Sequence, residues 1–209
     1  MAKNDSDDED LSALRPLRVA EAKKLEQGAK RLSARRQRDL LPVRIETPRL
    51  VLRPPIRGDV PDLVRLADNR RIHEVLARLP HPYTRADGIA FVELFAQRAD
   101  ERPYAITMGD RFIGIVGFTF LPDKHPELGY WLGEPFWGKG LMSEAVKALL
   151  AAAFETPDFP RIVARALVSN AGSLNVLRKA GFREAGSGSE TDILDRPVVC
   201  FELERPKWM

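Results

Sequence analysis

Trp137-Gly138-Lys139-Gly140 stands between a short β-rich run, Leu128 to Leu132, and a helical run, Ser143 to Phe154. Glycines let a backbone approach a ligand closely. The free N–H groups of a helix's first turn, at the positive end of its dipole, attract a diphosphate. The spacing reads as a phosphate cradle, with a purely structural turn as the alternative. It is neither of the commoner Gly-rich loops. No G-x-x-x-x-G-K-(S/T) occurs, so the lysine and the magnesium-binding hydroxyl of a nucleotide hydrolase are absent, and no G-x-G-x-x-G follows the first strand. Other groups able to do chemistry are scattered. His73, His81 and Tyr83 share one loop at a spacing that does not suggest zinc. Cys200, the single cysteine, lies in the apolar run Val198 to Phe201 and reads as a small buried hydrophobe.

The elements that must carry the cradle follow from hydrophobic period. Arg49 to Arg53 reads as a strand closed by Pro54-Pro55, and Asp59 with Asp62 offers a cap for a helix through Leu63, Val64 and Leu66. Thr84 with Asp87 repeats that capping logic, and Ile89, Val92, Phe95 and Ala99 predict a helix ending before Pro103. Arg70 to Tyr83 between them reads as a loop. Tyr104 to Met108 and Phe112 to Phe120 form a hairpin about Gly109-Asp110. After the cradle come a helix, a strand from Arg161 to Val168, a helix from Ser173 to Ala180 stopped by Gly181, and one or two strands between Asp192 and Leu203. The expected class is a mixed α/β sheet, part antiparallel and part parallel, flanked by helices.

The 209 residues suit one domain with an appendage. Lys and Arg number 33 against 30 Asp and Glu, a net charge of +3, too little for the whole chain to bind nucleic acid. The ends are less even. Residues 1–10 carry five acids and almost no apolar surface, an expected disordered tail. Residues 11–41 carry nine Lys or Arg and a thin helical line through Val19, Ala22, Leu25, Ala29 and Leu32. Such a basic arm suits RNA, the ribosome or an acidic partner, or is a solvated extension. The domain proper is placed at 42–209. An acidic start without an apolar h-region, no long apolar run and one cysteine together predict a cytoplasmic protein that does not enter membranes.

Two blocks carry a family resemblance. Glu127-Leu-Gly-Tyr-Trp-Leu, followed by Trp137-Gly138-Lys139-Gly140 and Glu144-Ala145, resembles the pattern E-x-G-Y-W … W-G-x-G … E-A. The stretch Asn170-Ala-Gly-Ser173 to Lys179-Ala-Gly181-Phe182 is similar to N-x-x-S … K-x-G-F. Together they are similar to the GNAT acetyltransferase superfamily, in its branch of ribosomal-protein-alanine N-acetyltransferases, over about Arg44 to Leu203. The usual cofactor motif (Q/R)-x-x-G-x-(G/A) is here Trp137 to Met142, departing at Trp137 and, more, at Met142, whose side chain is expected to turn inward.

The resemblance implies an enzyme that moves the acetyl group of acetyl-CoA, without a metal, onto a primary amine of a small molecule or a protein N-terminus. Tyr130, Trp131 and Leu132 would line a strand that splays from its neighbour and holds pantetheine. The N–H groups of Gly138, Lys139, Gly140, Leu141, Met142 and Ser143, beside Trp137, would hold the pyrophosphate. Asn170 and Ser173 would flank the thioester. An alkylamine must lose a proton before it attacks, and Glu127, just ahead of that strand, is the expected base. Ser173 is the available hydroxyl for the leaving thiolate, or else a helix cap, because no phenol stands in the second block. A non-catalytic acetyl-CoA sensor or RNA-associated scaffold is the alternative, and a monomer or a homodimer fits either.

Overall fold

The computed structural model describes residues 25, 28, 29, 32–122 and 124–206. The acidic tail and most of the basic arm, with their expected partners, lie outside these residues. Helix α1 (residues 32–40) shows Leu32 to water but is docked at its end. Arg36 and Gln37 bind Asp158, Arg38 Nε donates to the Glu101 carbonyl at 2.9 Å, and Leu41 is buried.

Eight strands form one sheet in the order β1-β2-β3-β4-β5-β6-β8-β7. They are β1 (Ile45–Glu46), β2 (Val51–Arg53), β3 (Glu101–Met108), β4 (Arg111–Thr119), β5 (Glu127–Leu132), β6 (Arg161–Leu167), β7 (Arg183–Ala185) and β8 (Val198–Glu204). Every neighbouring pair is antiparallel except β5 with β6. The Gly109-Asp110 hairpin is as expected, with Gly109 at φ +59°. β3 begins earlier than its apolar run suggests, because Gly117 lets Pro103 come close: a Cβ there would lie 2.7 Å from Pro103 Cα. β1 and β7 are too short to leave a periodic signal.

The helices are α2 (Val60–Ala67), α3 (Arg70–His73), α4 (Arg85–Ala90), α5 (Leu141–Phe154) and α6 (Ala171–Lys179). α2 packs on α4 and β4, while α5 packs on β1, β4 and α6. Residues 104–107 and 112–118 are therefore buried on both faces of the sheet.

Three expectations change. Asp59 does not cap α2, because its carboxylate is held by Arg53 at 2.6 and 2.7 Å and by the Ile56 N–H; a forked, charge-assisted pair outcompetes a cap. The loop from Arg70 to Tyr83 contains α3, capped by Asn69. The helix expected to reach Ala99 instead passes into a π turn, Phe91–Phe95, where the Ala96 N–H reaches back to the Phe91 carbonyl. Thr84 and Asp87 do form the expected capping box.

Directly opposed residues share a face of a sheet. One face carries Tyr104, Val116 and Tyr130 in one row and Arg102, Phe118 and Leu128 in the next. The other carries Glu101, Thr119 and Glu127, then Pro103, Gly117 and Gly129, then Ala105, Ile115 and Trp131.

Candidate functional site

The site begins where β5 and β6 part. They pair only at Glu127 with Val163 and Leu128 with Ala164. The Val163 N–H donates to the Pro126 carbonyl at 3.0 Å, while the Gly133 N–H turns to Ile113 on β4. By the two-residue alternation of a strand, the main-chain groups of Tyr130 and Leu132 then face the gap. The Leu132 carbonyl accepts from Trp137 Nε1 at 2.6 Å, which leaves both groups of Tyr130 and the Leu132 N–H along the opening.

From this edge the chain turns through Gly133 and Glu134–Phe136 into the cradle. Gly138 and Gly140 both have φ +73°, a left-handed conformation that side chains with a Cβ rarely adopt. Gly140 is the N-cap of α5 and contributes no side chain, so the first-turn N–H groups are uncapped by any side chain. Leu141 and Met142 are buried, Ser143 is half-buried, and Trp137 is 37% exposed. Lys139 Nζ donates to the Pro135 carbonyl at 2.8 Å, so Lys139 offers the cradle its backbone before its charge.

Two clamps fix the turn. Glu144, in the first turn of α5, accepts from Thr47 Oγ1 at 2.6 Å, from the Arg49 N–H at 3.1 Å and from Arg49 Nε at 2.7 Å. Arg49 also donates to the Lys139 carbonyl at 3.0 Å. Burial disfavours the Glu144 charge, but the hydrogen bonds from Thr47 and Arg49 outweigh it and hold the carboxyl below its ordinary range. On the other side Asn69 Nδ2 donates to Glu134 at 2.7 Å, and Arg71 pairs with the same carboxylate while its guanidinium lies 5.3 Å over the Trp137 ring. Glu144 belongs to the E-A pair visible in the sequence. Asn69 and Arg71 give no local signal, because they come from α3, more than 60 residues upstream of Glu134.

Beyond the edge, the Tyr130 hydroxyl lies 2.9 Å from Ser173 Oγ. Asn170 Oδ1 accepts the Ser173 N–H at 3.0 Å, so Asn170 is the cap of α6 and the Ser173 hydroxyl is spared that task. The phenol missing from the second block thus comes from the first. Burial pushes the Tyr130 hydroxyl up to about 12 against the opposing bond to Ser173, so it stays a neutral donor.

On the opposite face, Arg165 holds both oxygens of Glu127, at 2.9 and 3.1 Å. That bond raises the Arg165 pKa further against the cost of burial. Gly129 is exposed with nothing within 4 Å of its Cβ position, which leaves the sheet open between Glu127 and Trp131, and Trp131 packs 5.9 Å from Phe112. The rim is formed by the loop after α3 and the loop between β7 and β8, joined where Arg196 donates to the Glu74 carbonyl at 2.6 Å. In that rim His73 and His81 lie ring to ring at 5.4 Å, while Tyr83 is buried in the core. Among the described residues no group of three His, Cys, Asp or Glu is placed to hold a metal, and no helix is long and apolar enough to cross a membrane.

Residues 49–183 match the family model described as an acetyltransferase (GNAT) domain, well over half of the chain. The chain belongs to the GNAT acetyltransferases. It is 30% identical over 101 residues to the ribosomal-protein-serine acetyltransferase of Escherichia coli K12, a match covering 47% of this chain and 56% of that protein. It is 33% identical over 84 residues to the [ribosomal protein uS5]-alanine N-acetyltransferase of the same organism, covering 39% and 43%. The chain thus spans about half the length of the curated relatives it matches. Among solved structures it is similar to RimL, a ribosomal L7/L12 alpha-N-protein acetyltransferase in complex with coenzyme A. That likeness has a TM-score of 0.66 and 25% identity, over 78% of this chain and 97% of that one. The mixed sheet of the GNAT fold is therefore the fold of this chain.

Proposed function

We propose that this GNAT protein transfers the acetyl group of acetyl-CoA to a primary amine by direct attack within a ternary complex, with a protein N-terminus as the leading acceptor. The observation that carries the reading is the continuous run of main-chain donors from the uncapped start of α5, along the open edge of β5, to the Tyr130–Ser173 pair. A diphosphate needs such donors at the first end and the amides of pantetheine need them along the edge. The names of the ribosomal-protein relatives favour an N-terminal amine over a small molecule.

In this reading the N–H groups from Gly138 to Ser143 hold the pyrophosphate, and those of Tyr130 and Leu132 hold pantetheine and the carbonyl oxygen that becomes negative during attack. Tyr130 supports Ser173, whose hydroxyl meets the departing sulfur. A phenol held near 12 does not fully protonate a thiolate of ordinary pKa about 8.5; by polarising the Ser173 hydroxyl it helps that group stabilise the sulfur through a hydrogen bond, enough for a good leaving group. The amine approaches the open face at Gly129, beside Glu127 and Trp131. Glu127, with both oxygens held by Arg165, orients it and is not free to take its proton while that pair is closed.

Calorimetry with acetyl-CoA, followed by thiol release with lysine-free peptides, polyamines, amino acids and aminoglycosides, tests this. One molar equivalent of acetyl-CoA should bind, and a free N-terminal peptide should accelerate thiol release where its acetyl-capped form does not. Binding without acceleration by any amine overturns the transfer reading and favours a sensor. Absence of binding overturns both.

A further inference from the structure

Asp59 and Glu101 are buried carboxylates, and their surroundings differ. Asp59 is neutralised by Arg53. Glu101 is 5% exposed, and its carboxylate accepts from the neutral Thr119 hydroxyl at 2.9 Å; among the described residues no cation pairs with it. A buried carboxylate without a cation costs stability that the fold would recover with Gln or Met.

Register places this group on the open face. Glu101 opposes Thr119 and Thr119 opposes Glu127, so the three side chains form one row, with the hydroxyl between the two carboxylates. The row crosses β5 at Glu127, which still pairs with Val163, one pair before the gap opens beyond Leu128. Both oxygens of Glu127 are occupied by Arg165, so the amine needs another destination for its proton.

We infer that Glu101 receives the proton given up by the acceptor amine, through the Thr119 hydroxyl. This rests on the transfer reading above. The Thr119 oxygen accepts a proton from the ammonium as its own hydroxyl proton passes to Glu101 Oε2. The nitrogen keeps its electron pair for the thioester carbon, and Glu101 later releases the proton to water. Glu101 acts through Thr119, as a positioning residue for the proton, and does not itself touch the amine.

The electrostatics agree with the geometry. Burial pushes the Glu101 carboxyl up to about 7, the Thr119 bond opposes this, Asp100 adds to it, and Arg98 and Arg78 oppose it. From the other packed elements, Glu127 and Arg165 share its face across β4, and Arg38 of α1 reaches its main-chain carbonyl. An N-terminal amine titrates near 8, so transfer to Glu101 costs little, whereas a lysine amine near 10.4 would be uphill by about three units.

The test uses the full chain with acetyl-CoA and a lysine-free peptide bearing a free N-terminal alanine, comparing Glu101→Gln, Thr119→Val and Thr119→Ser. Glu101→Gln and Thr119→Val should each lower kcat at least tenfold at pH 7, remove the rise of kcat between pH 6 and 8 at saturating peptide, and leave acetyl-CoA affinity within twofold. Thr119→Ser should keep most of the rate, which shows that loss in Thr119→Val reflects the hydroxyl and not misfolding. An active wild type with an unchanged rate and pH profile in Glu101→Gln overturns the inference alone. A wild type that binds acetyl-CoA but acetylates no amine overturns the transfer reading and this inference with it.

Discussion

The two ends of the cleft are built from different materials. At the proposed cofactor end, from Gly138 to Ser143, the groups offered to a ligand are main-chain N–H groups set by two left-handed glycines, and Leu141 and Met142 turn inward. In the proposed reading the other end works through side chains: Glu101, Thr119 and Glu127 on the acceptor's face of the sheet, and Tyr130 with Ser173 on the opposite face beside the sulfur. A backbone site tolerates side-chain change as long as its φ and ψ survive. A side-chain site keeps its backbone and changes its chemistry with one substitution. On this reading the departure at Met142 from the small residue usual in the cofactor motif should leave binding intact, since its side chain turns into the core.

The sharpest way to break the contrast is at Gly140. Val there keeps every side chain of the site but cannot rest at φ +73° without strain of about 1–2 kcal/mol. The nearest atom to a Cβ is Arg49 Nη2 at 3.7 Å, so the free protein has room and should fold. Acetyl-CoA affinity in Gly140→Val should fall at least a hundredfold by calorimetry, with far-UV circular dichroism unchanged. Retained affinity would move the cradle elsewhere.

The same contrast explains what the sequence revealed. Backbone sites leave local signatures, since glycine is needed at fixed offsets between a strand and a helix, and so the glycine turn before α5, the hairpin at Gly109 and most helices are legible. Side-chain sites assembled by register do not. Nothing near Glu101 in sequence announces that it lies two strands from Glu127, or that Tyr130 supplies the phenol absent beside Ser173. Asp59 misled as a cap because its partner Arg53 lies in the preceding strand, beyond any local capping pattern.

At the acceptor end the largest expected effect is on stability. The folded pKa of Glu101 is raised to about 7 from 4.5, so folding favours its protonated form. That preference is fully present below the unfolded pKa and is lost as pH rises through about 7. The shift corresponds to at most about 3 kcal/mol, and about 2 kcal/mol is expected after relaxation. Denaturant unfolding at pH 5 and pH 8 should therefore show Glu101→Gln gaining about 2 kcal/mol relative to wild type at the higher pH. Parallel behaviour would mean that the carboxyl is solvated. Tyr130→Phe comes next: the ring stays in the core and the bond to Ser173 goes. Its kcat should fall about tenfold, or about 1.4 kcal/mol, with acetyl-CoA affinity unchanged. A loss of affinity instead would assign Tyr130 to the cofactor end.

The smallest effect is expected where the two ends meet. Asn69 caps α3 with its oxygen and holds Glu134 with its nitrogen, while Arg71 joins Glu134 to the face of Trp137. The rim of the acceptor site is thereby tied to the turn that carries the cradle. Much of this contact is exposed, so solvent screens it and each bond contributes little to stability. Asn69→Ala also removes a helix cap, whereas Glu134→Gln leaves the cap in place and weakens only the link, so the comparison of the two separates the contributions. Glu134→Gln should weaken acetyl-CoA binding and raise the peptide KM by roughly threefold each, since the same contact braces the turn before α5 and the rim. Hydrogen exchange in residues 70–83 should slow when acetyl-CoA binds the wild type and respond less in the variant. A change confined to one ligand would show that the backbone end and the side-chain end work independently, and that the link through α3 is only structural.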